Sequence, residues 1–122
     1  MKLIDVVCGV VLNKNEKILI TQRKDLNNKW EFPGGKINPK ESIQNSIIRE
    51  IKEELNIDVV YNKILFKTEH KPFRLIFVLC DYISGKICLK EHLNFMWIEK
   101  TDLIKYDFLE GDKNFINFYL KK

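Results

Sequence analysis

The sequence predicts a mixed α/β (α+β) fold in a single domain spanning residues 1–122. Segments rich in β-branched and apolar residues occur before and after one strongly amphipathic helix. The length of 122 residues suits one core, since single domains usually span roughly 100–150 residues. No Pro-, Gly- or Ser-rich linker divides the chain, and no repeat recurs along it. Strands on both sides of one central helix are buried most simply as a sheet covered by helices.

Residues 3–12, LIDVVCGVVL, form a β-branched and apolar run, and residues 17–22, KILITQ, alternate weakly. The polar stretch Asn13-Lys14-Asn15-Glu16 between them makes the pair a hairpin. Gly9 inside the first run marks a bulge or a close approach of another backbone. A polar loop at 24–29 precedes the short apolar piece Trp30-Glu31-Phe32, and Pro33-Gly34-Gly35 is expected to end regular structure. Residues 42–55 form the clearest helix, with Ile43, Ile47, Ile51 and Leu55 recurring every four residues and Ile48 beside them. Ser42 is one candidate cap, and Asn38 before Pro39 offers an earlier start. Asn56 tolerates the left-handed geometry that closes a helix. Residues 57–68 and 73–83 read as strands joined through Glu69-His70-Lys71-Pro72, and Met96-Trp97-Ile98 as a short strand. A helical turn is expected at 101–104. Phe115, Ile116, Phe118, Tyr119 and Leu120 predict a terminal helix within 112–121 that packs on the sheet.

Hydrophobic residues at 45% and charged residues at 31% are the balance of a folded chain rather than a disordered one. No apolar run approaches the ~18 residues of a membrane helix, and residues 1–12 lack the pattern of a secretory leader. The expected location is therefore the cytoplasm, away from membranes. A net charge of +4 rests on scattered lysines, with only Arg23, Arg49 and Arg74 as arginines. Without a basic stripe and interleaved aromatics, nucleic acid is not an expected partner. Cys8, Cys80 and Cys88 are odd in number and form no C-x-x-C pair. Cys8 and Cys80 sit in apolar runs, where a thiol acts as a small hydrophobe. His70 and His92 lie in polar loops and are read as solvent-exposed.

The chemistry concentrates in residues 34–57, GGKINPKESIQNSIIREIKEELNI. On a helix, Glu50, Glu53 and Glu54 stand at i, i+3 and i+4 and share a face, taken to lie roughly opposite the isoleucine stripe. Clustered carboxylates repel, and a hard divalent cation with oxygen ligands offsets that repulsion while leaving positions for phosphate. A plain solvated face is the competing reading.

Gly35, Glu41 six residues on, and Arg49-Glu50-Ile51-Lys52-Glu53-Glu54-Leu55-Asn56-Ile57 eight residues after that resemble the Nudix hydrolase signature, G-x5-E-x7-R-E-U-x-E-E-x-G-U with U a bulky aliphatic. Asn56 replaces the last glycine. Trp30-Glu31-Phe32-Pro33-Gly34-Gly35-Lys36 resembles the segment preceding the signature in the MutT-type branch, the nucleoside triphosphate pyrophosphohydrolases. Glu91, six residues before Trp97, and Asp112, fifteen after it, also match that branch in position.

The resemblance implies an α/β/α sandwich with a mixed sheet and a loop–helix–loop that holds Mg²⁺, with Mn²⁺ as an alternative, on a nucleotide diphosphate. Glu50, Glu53 and Glu54 would be carboxylate ligands, the Gly35 carbonyl a backbone ligand, and Glu91 an outlying ligand. Either Glu50 or Glu54 would be the general base, with Glu91 third. Glu41 and Arg49 would orient the ligands. Arg23, Glu31, Phe32, Pro33, Gly34, Lys36, Arg74 and Asp112 would meet the nucleotide. Of these, Phe32 reads first as core, and Arg23 and Lys36 equally as plain surface. Asp112, an acceptor, suits both oxidised guanine and cytosine. The implied activity is conversion of a triphosphate to monophosphate and pyrophosphate on 8-oxo-dGTP or, alternatively, on CTP or a modified dCTP. A nucleotide sensor without turnover is the reading from another class. A small-molecule nucleotide is the expected partner, and both monomer and homodimer remain open.

Overall fold

The computed structural model describes residues 2–122, the side chain of Leu26 excepted. In chain order the elements are β1 (Ile4–Leu12), β2 (Ile18–Gln22), β3 (Trp30–Glu31), β4 (Gly34–Lys36), α1 (Ile43–Leu55), β5 (Asp58–His70), β6 (Phe73–Ser84), β7 (Asn94–Ile98) and α2 (Glu110–Tyr119). Short 3₁₀ turns occupy Leu26–Asn28 and Lys100–Lys105.

The apolar sequence of β1 from Val6 to Leu12 follows from its place inside one seven-stranded sheet. On one side β1 runs parallel to β6, from Ile4↔Phe73 to Leu12↔Asp81. On the other it meets β2 and β4, both antiparallel. With strands beside it and helices over both faces, the stretch Val7–Val11 has no solvent side to mark with polar residues, whereas Asp5 stands at the strand's open start. Successive side chains enter opposite cores. Val7 and Val11 join Ile47, Ile51, Leu55, Ile76 and Val78 under α1. Cys8 and Val10 join Ile20, Phe77, Phe108, Phe115 and Ile116 under α2. The molecule is therefore a mixed sheet between two helical layers.

The α1 helix starts at the nearer of its two candidate caps. The Ser42 side chain accepts from the Asn45 amide at 3.0 Å, satisfying one of the donors a helix start leaves unpaired. Asn56 closes the helix in the left-handed region, φ 61°. Where a glycine was expected to mark a close approach, Gly9 donates its N–H to the Pro33 carbonyl at 2.7 Å, and a Cβ there would press on Ile47.

Three expectations change. The first hairpin is paired only at Leu12↔Ile18, because on the shared edges β3 takes Thr21 and Gln22 of β2 and β4 takes Val6–Cys8 of β1, while β7 runs along the other edge of β2. Pro33-Gly34-Gly35 does not end regular structure: Gly34–Lys36 is a strand paired with Val6–Cys8. Any Cβ on Gly34 would overlap the Val7 carbonyl, so the glycine permits the pairing. The terminal helix begins at Glu110, which brings Asp112 into its first turn.

Candidate active site

Beside the junction of β1, β3, β4 and the start of α2 lies a cleft of about 810 Å³. It gathers Arg23, Glu31, Phe32, Gly34, Gly35, Lys36, Glu54, Glu91 and Asp112 from distant parts of the chain. Lys24, Lys29, His70 and His92 line it as well.

Glu54 stands at the wall made by α1 and β4, where its Oε1 accepts from the Gly34 amide at 3.3 Å. Burial and the charges of Glu50, Glu31 and Glu91 push its carboxyl up to about 8, against the opposing amide bond. Glu50, one turn earlier, is only 14% exposed at its side chain and is raised mainly by burial. A Cβ on Gly35 would overlap the Glu50 carboxylate, so glycine is what allows this acid to lie against β4. Glu53 differs: it is 57% exposed and faces Arg49. The three acids thus do not stand together opposite the apolar stripe. At 3.6 residues per turn, Glu50 and Glu54 border that stripe, and Glu53 falls on its outer side.

Arg49 ties the helix to the loop before it. Its Nε and Nη2 grip the Glu41 carboxylate at 2.7 and 2.9 Å, Nη2 also reaches the Lys36 carbonyl at 3.2 Å, and Nη1 reaches Glu53 at 3.3 Å. The guanidinium and the Asn38 amide hold the Glu41 carboxyl down at about 2. A planar fork with five donors makes this many bonds at once, which a lysine cannot.

At the α2 start, Asp112 is 4% exposed, and its Oδ2 accepts from the Phe32 amide at 3.1 Å. Burial pushes the Asp112 carboxyl up to about 8, with the nearby Glu31 charge adding to the effect. Phe32 is both of the things read for it: its ring stacks on Phe108 at 5.2 Å in the core, and it also lines the cleft. Pro33 is buried against Gly9 behind the cleft wall. Arg23 is held between Asp25, at 2.7 Å, and Glu31, at 3.1 Å.

Besides Pro33, which does not line the cleft, and Glu53, two residues are placed otherwise than expected. Arg74 does not join the cleft. Its neighbours Phe73 and Leu75 line it, and strand alternation turns Arg74 to the other face, where it pairs with Asp5 at 3.3 Å. His92 is not solvent-exposed. It is 6% exposed, with Nε2 at 2.8 Å from the second Glu31 oxygen. A lone histidine among polar loop residues carries no periodicity by which burial can be read, so the sequence offered no signal for it. Nor did it mark Lys24 and Lys29, which only the fold brings to the cleft.

Among the described residues, no three acidic, histidine or cysteine side chains are drawn to metal-coordinating spacing. The donors nevertheless fit a hard divalent cation by their chemistry. They are carboxylate and carbonyl oxygens, the acids raise one another's pKa, and a side chain at Gly35 would fill the space beside Glu50.

A sequence model described as the NUDIX domain matches residues 2–117. The chain is 32% identical over 122 residues to an 8-oxo-dGTP diphosphatase of Buchnera aphidicola subsp. Schizaphis graminum, covering 96% of this chain and 93% of that protein. It is 29% identical over 119 residues to the CTP pyrophosphohydrolase of Escherichia coli K12, covering 92% and 87% respectively. The crystal structure of the MutT protein from Methanosarcina mazei Go1 superposes with a TM-score of 0.79 at 25% identity, covering 98% of this chain and 94% of that one. A sheet between two helical layers, an acidic helix laid against a glycine strand, and a domain match over nearly the whole chain agree: the protein belongs to the Nudix family and is a Nudix hydrolase of the MutT-like kind.

Proposed function

We propose that this hydrolase converts a nucleoside triphosphate to monophosphate and pyrophosphate with Mg²⁺ or Mn²⁺, and that oxidised purine nucleotides such as 8-oxo-dGTP are its preferred substrates. The observation that carries this reading is one cleft holding Glu54 and Glu91 together with the buried Asp112 and the cations Arg23, Lys24, Lys29 and Lys36. Such a cleft offers oxygen donors for a cation, positive charge for a polyphosphate and a polar group for a base. The 8-oxo-dGTP diphosphatase relatives support the same choice.

Glu50, Glu54, the Gly35 carbonyl and Glu91 would hold the cation directly, and Glu53, exposed beside Arg49, through water. When bound, it screens the phosphate charge and acidifies the attacking water. The chain supplies the rest. Glu54 or Glu50 would accept the proton of that water. Arg49 and Glu41 fix the helix that carries both acids. Arg23 and Lys36 meet phosphate or sugar oxygens. Phe32 and Asp112 form the wall that a base would face, with the Phe32 amide fixing the Asp112 carboxyl in place. Glu31 holds Arg23, while Pro33 and Gly34 shape the wall between the base and the acids.

A second reading, CTP or a modified dCTP, follows from Asp112, since cytosine also presents an exocyclic amine to a carboxyl group, and from the likeness to a CTP pyrophosphohydrolase. Pyrophosphate release with Mg²⁺ across 8-oxo-dGTP, dGTP, CTP, 5-methyl-dCTP, a diadenosine polyphosphate and ADP-ribose separates the readings. The highest kcat/KM is expected for 8-oxo-dGTP. A preference for the cytidine substrates moves the second reading forward, and nucleotide binding without turnover would make the protein a sensor. Replacing Asp112 by Asn is expected to reorder the panel while leaving its metal requirement intact.

A further inference from the structure

The segment between β6 and β7, residues 85–93, carries Glu91 into the cleft. Its backbone is laced to α1 and β2: the Cys88 amide donates to the Leu55 carbonyl, Lys90 to Glu54, and Leu93 to Gln22. Among the described residues, its side chains make a single hydrogen bond, from His92 Nε2 to Glu31. That histidine is buried, whereas Lys90, Glu91, Leu93 and Asn94 around it are exposed. Its other ring nitrogen, Nδ1, is buried with no partner among the described residues, so the bond to Glu31 is the ring's one polar anchor. Because a carboxylate only accepts, the proton of this bond sits on Nε2. The opposite oxygen of Glu31 is taken by Arg23, itself braced by Asp25.

One carboxylate therefore joins two groups of cleft residues. On one side are Arg23 and the adjoining Asp112; on the other is the segment that presents Glu91 next to Glu54. We propose that His92 is a positioning residue which, through Glu31, fixes Arg23 toward the nucleotide and Glu91 toward the acidic helix together. The proposal rests on the reading of this cleft as a nucleotide and cation site. Ring burial alone does not require it: a leucine fills similar space but donates nothing.

The test compares His92→Leu, His92→Gln, Glu31→Ala and the double variant His92→Leu with Glu31→Ala. Three quantities are read: KM for the favoured triphosphate, the Kd of Mn²⁺ alone on nucleotide-free protein, and the unfolding temperature. Residues that orient metal ligands typically change affinity by about 10–100-fold when removed. His92→Leu is expected to raise KM and the Mn²⁺ Kd about tenfold together, with the unfolding temperature nearly unchanged. His92→Gln, which retains an N–H donor, restores most of both. The double variant is no worse than Glu31→Ala, because His92 acts through Glu31. Unchanged KM and Mn²⁺ binding in His92→Leu would overturn the proposal, as would additive losses in the double variant. If His92→Leu does not fold, Glu31→Ala decides: wild-type KM and Mn²⁺ affinity there overturn it. A wild-type protein that binds Mn²⁺ yet releases no pyrophosphate refutes the functional reading, while the Mn²⁺ measurement still tests His92.

Discussion

Glu53 and Glu54 are adjacent in sequence and meet opposite surroundings. Glu54 takes the Gly34 amide inside the cleft, and Glu53 lies 57% exposed beside Arg49. Replacing Glu54 by Gln is expected to lower kcat by about 10²–10⁴-fold, the range for losing a proton-transfer group, and Glu53→Gln by clearly less. Steady-state assays on folded variants check the order; equal losses would mean that the exposed acid swings into the site. Asp112 makes a different prediction, about stability. Its carboxyl is raised to about 8 from the ordinary 3.8, so between those pH values the folded chain keeps a proton that the unfolded chain has released. Its contribution is complete below pH 3.8 and is lost as pH rises toward 8. Asn at this position keeps an acceptor for the Phe32 amide and cannot ionise. The urea midpoint of Asp112→Asn should therefore fall less between pH 5 and pH 8 than that of the parent protein. Glu54, raised into the same region, leaves a residual decline in both.

The α1 helix is the element on which the acids depend, and both of its ends are set by single side chains. Ser42 caps the first turn, and its replacement by Ala should cost about 1 kcal/mol. At the other end Asn56 occupies the left-handed region at φ 61°, in the place where the Nudix signature has glycine. Asn56→Gly should be neutral or stabilising by under about 1 kcal/mol, while Asn56→Val should lose about 1–2 kcal/mol. Denaturant midpoints test all three, and a large loss on changing Asn56 to Gly would show that the asparagine side chain has a separate role. Helix period and closing residue were legible, and the cap was narrowed to Ser42 or Asn38, because they are local: each depends on neighbours within one or two turns. The strand Gly34–Lys36 was not legible by the same means. A Gly-Gly pair usually signals a turn, and only the carbonyl of Val7 lying against Gly34 makes the missing side chain a condition for pairing.

Across the molecule, the cleft joins seven stretches of chain: β1, the loop after β2, β3 with β4, α1, the end of β5 with the start of β6, the segment 85–93 and the start of α2. Crowding Glu54, Glu50, Glu31 and Glu91 around it stores repulsion that a cation would relieve. Mg²⁺ or Mn²⁺ should therefore stabilise the whole fold, by about 2.7 kcal/mol at a hundredfold excess over Kd. The gain should be visible as a rise in Tm and be largely lost in Glu54→Gln. No rise with either ion would remove the cation from the assignment. Cys8 and Cys80 are inert in this picture, since burial raises both thiols, Cys80 to about 12.

Composition, helix periodicity and the spacing from Gly35 to Ile57 were enough to determine the fold class and the central helix with its closing residue, because these follow from contacts near in sequence. Strand order lay beyond them, since β1 finds β6 on one edge and β4 beside β2 on the other, and each of these pairings joins segments distant in sequence. The cleft also had to be built before the residues along it could be sorted. Alternation on β6 turned Arg74 away although its neighbours Phe73 and Leu75 line the cleft. The same packing drew His92 out of a polar loop onto Glu31, a residue sixty-one positions earlier. Burial and the partner of a charged or polar side chain are set by what the fold brings beside it, and no local pattern encodes a neighbour that distant.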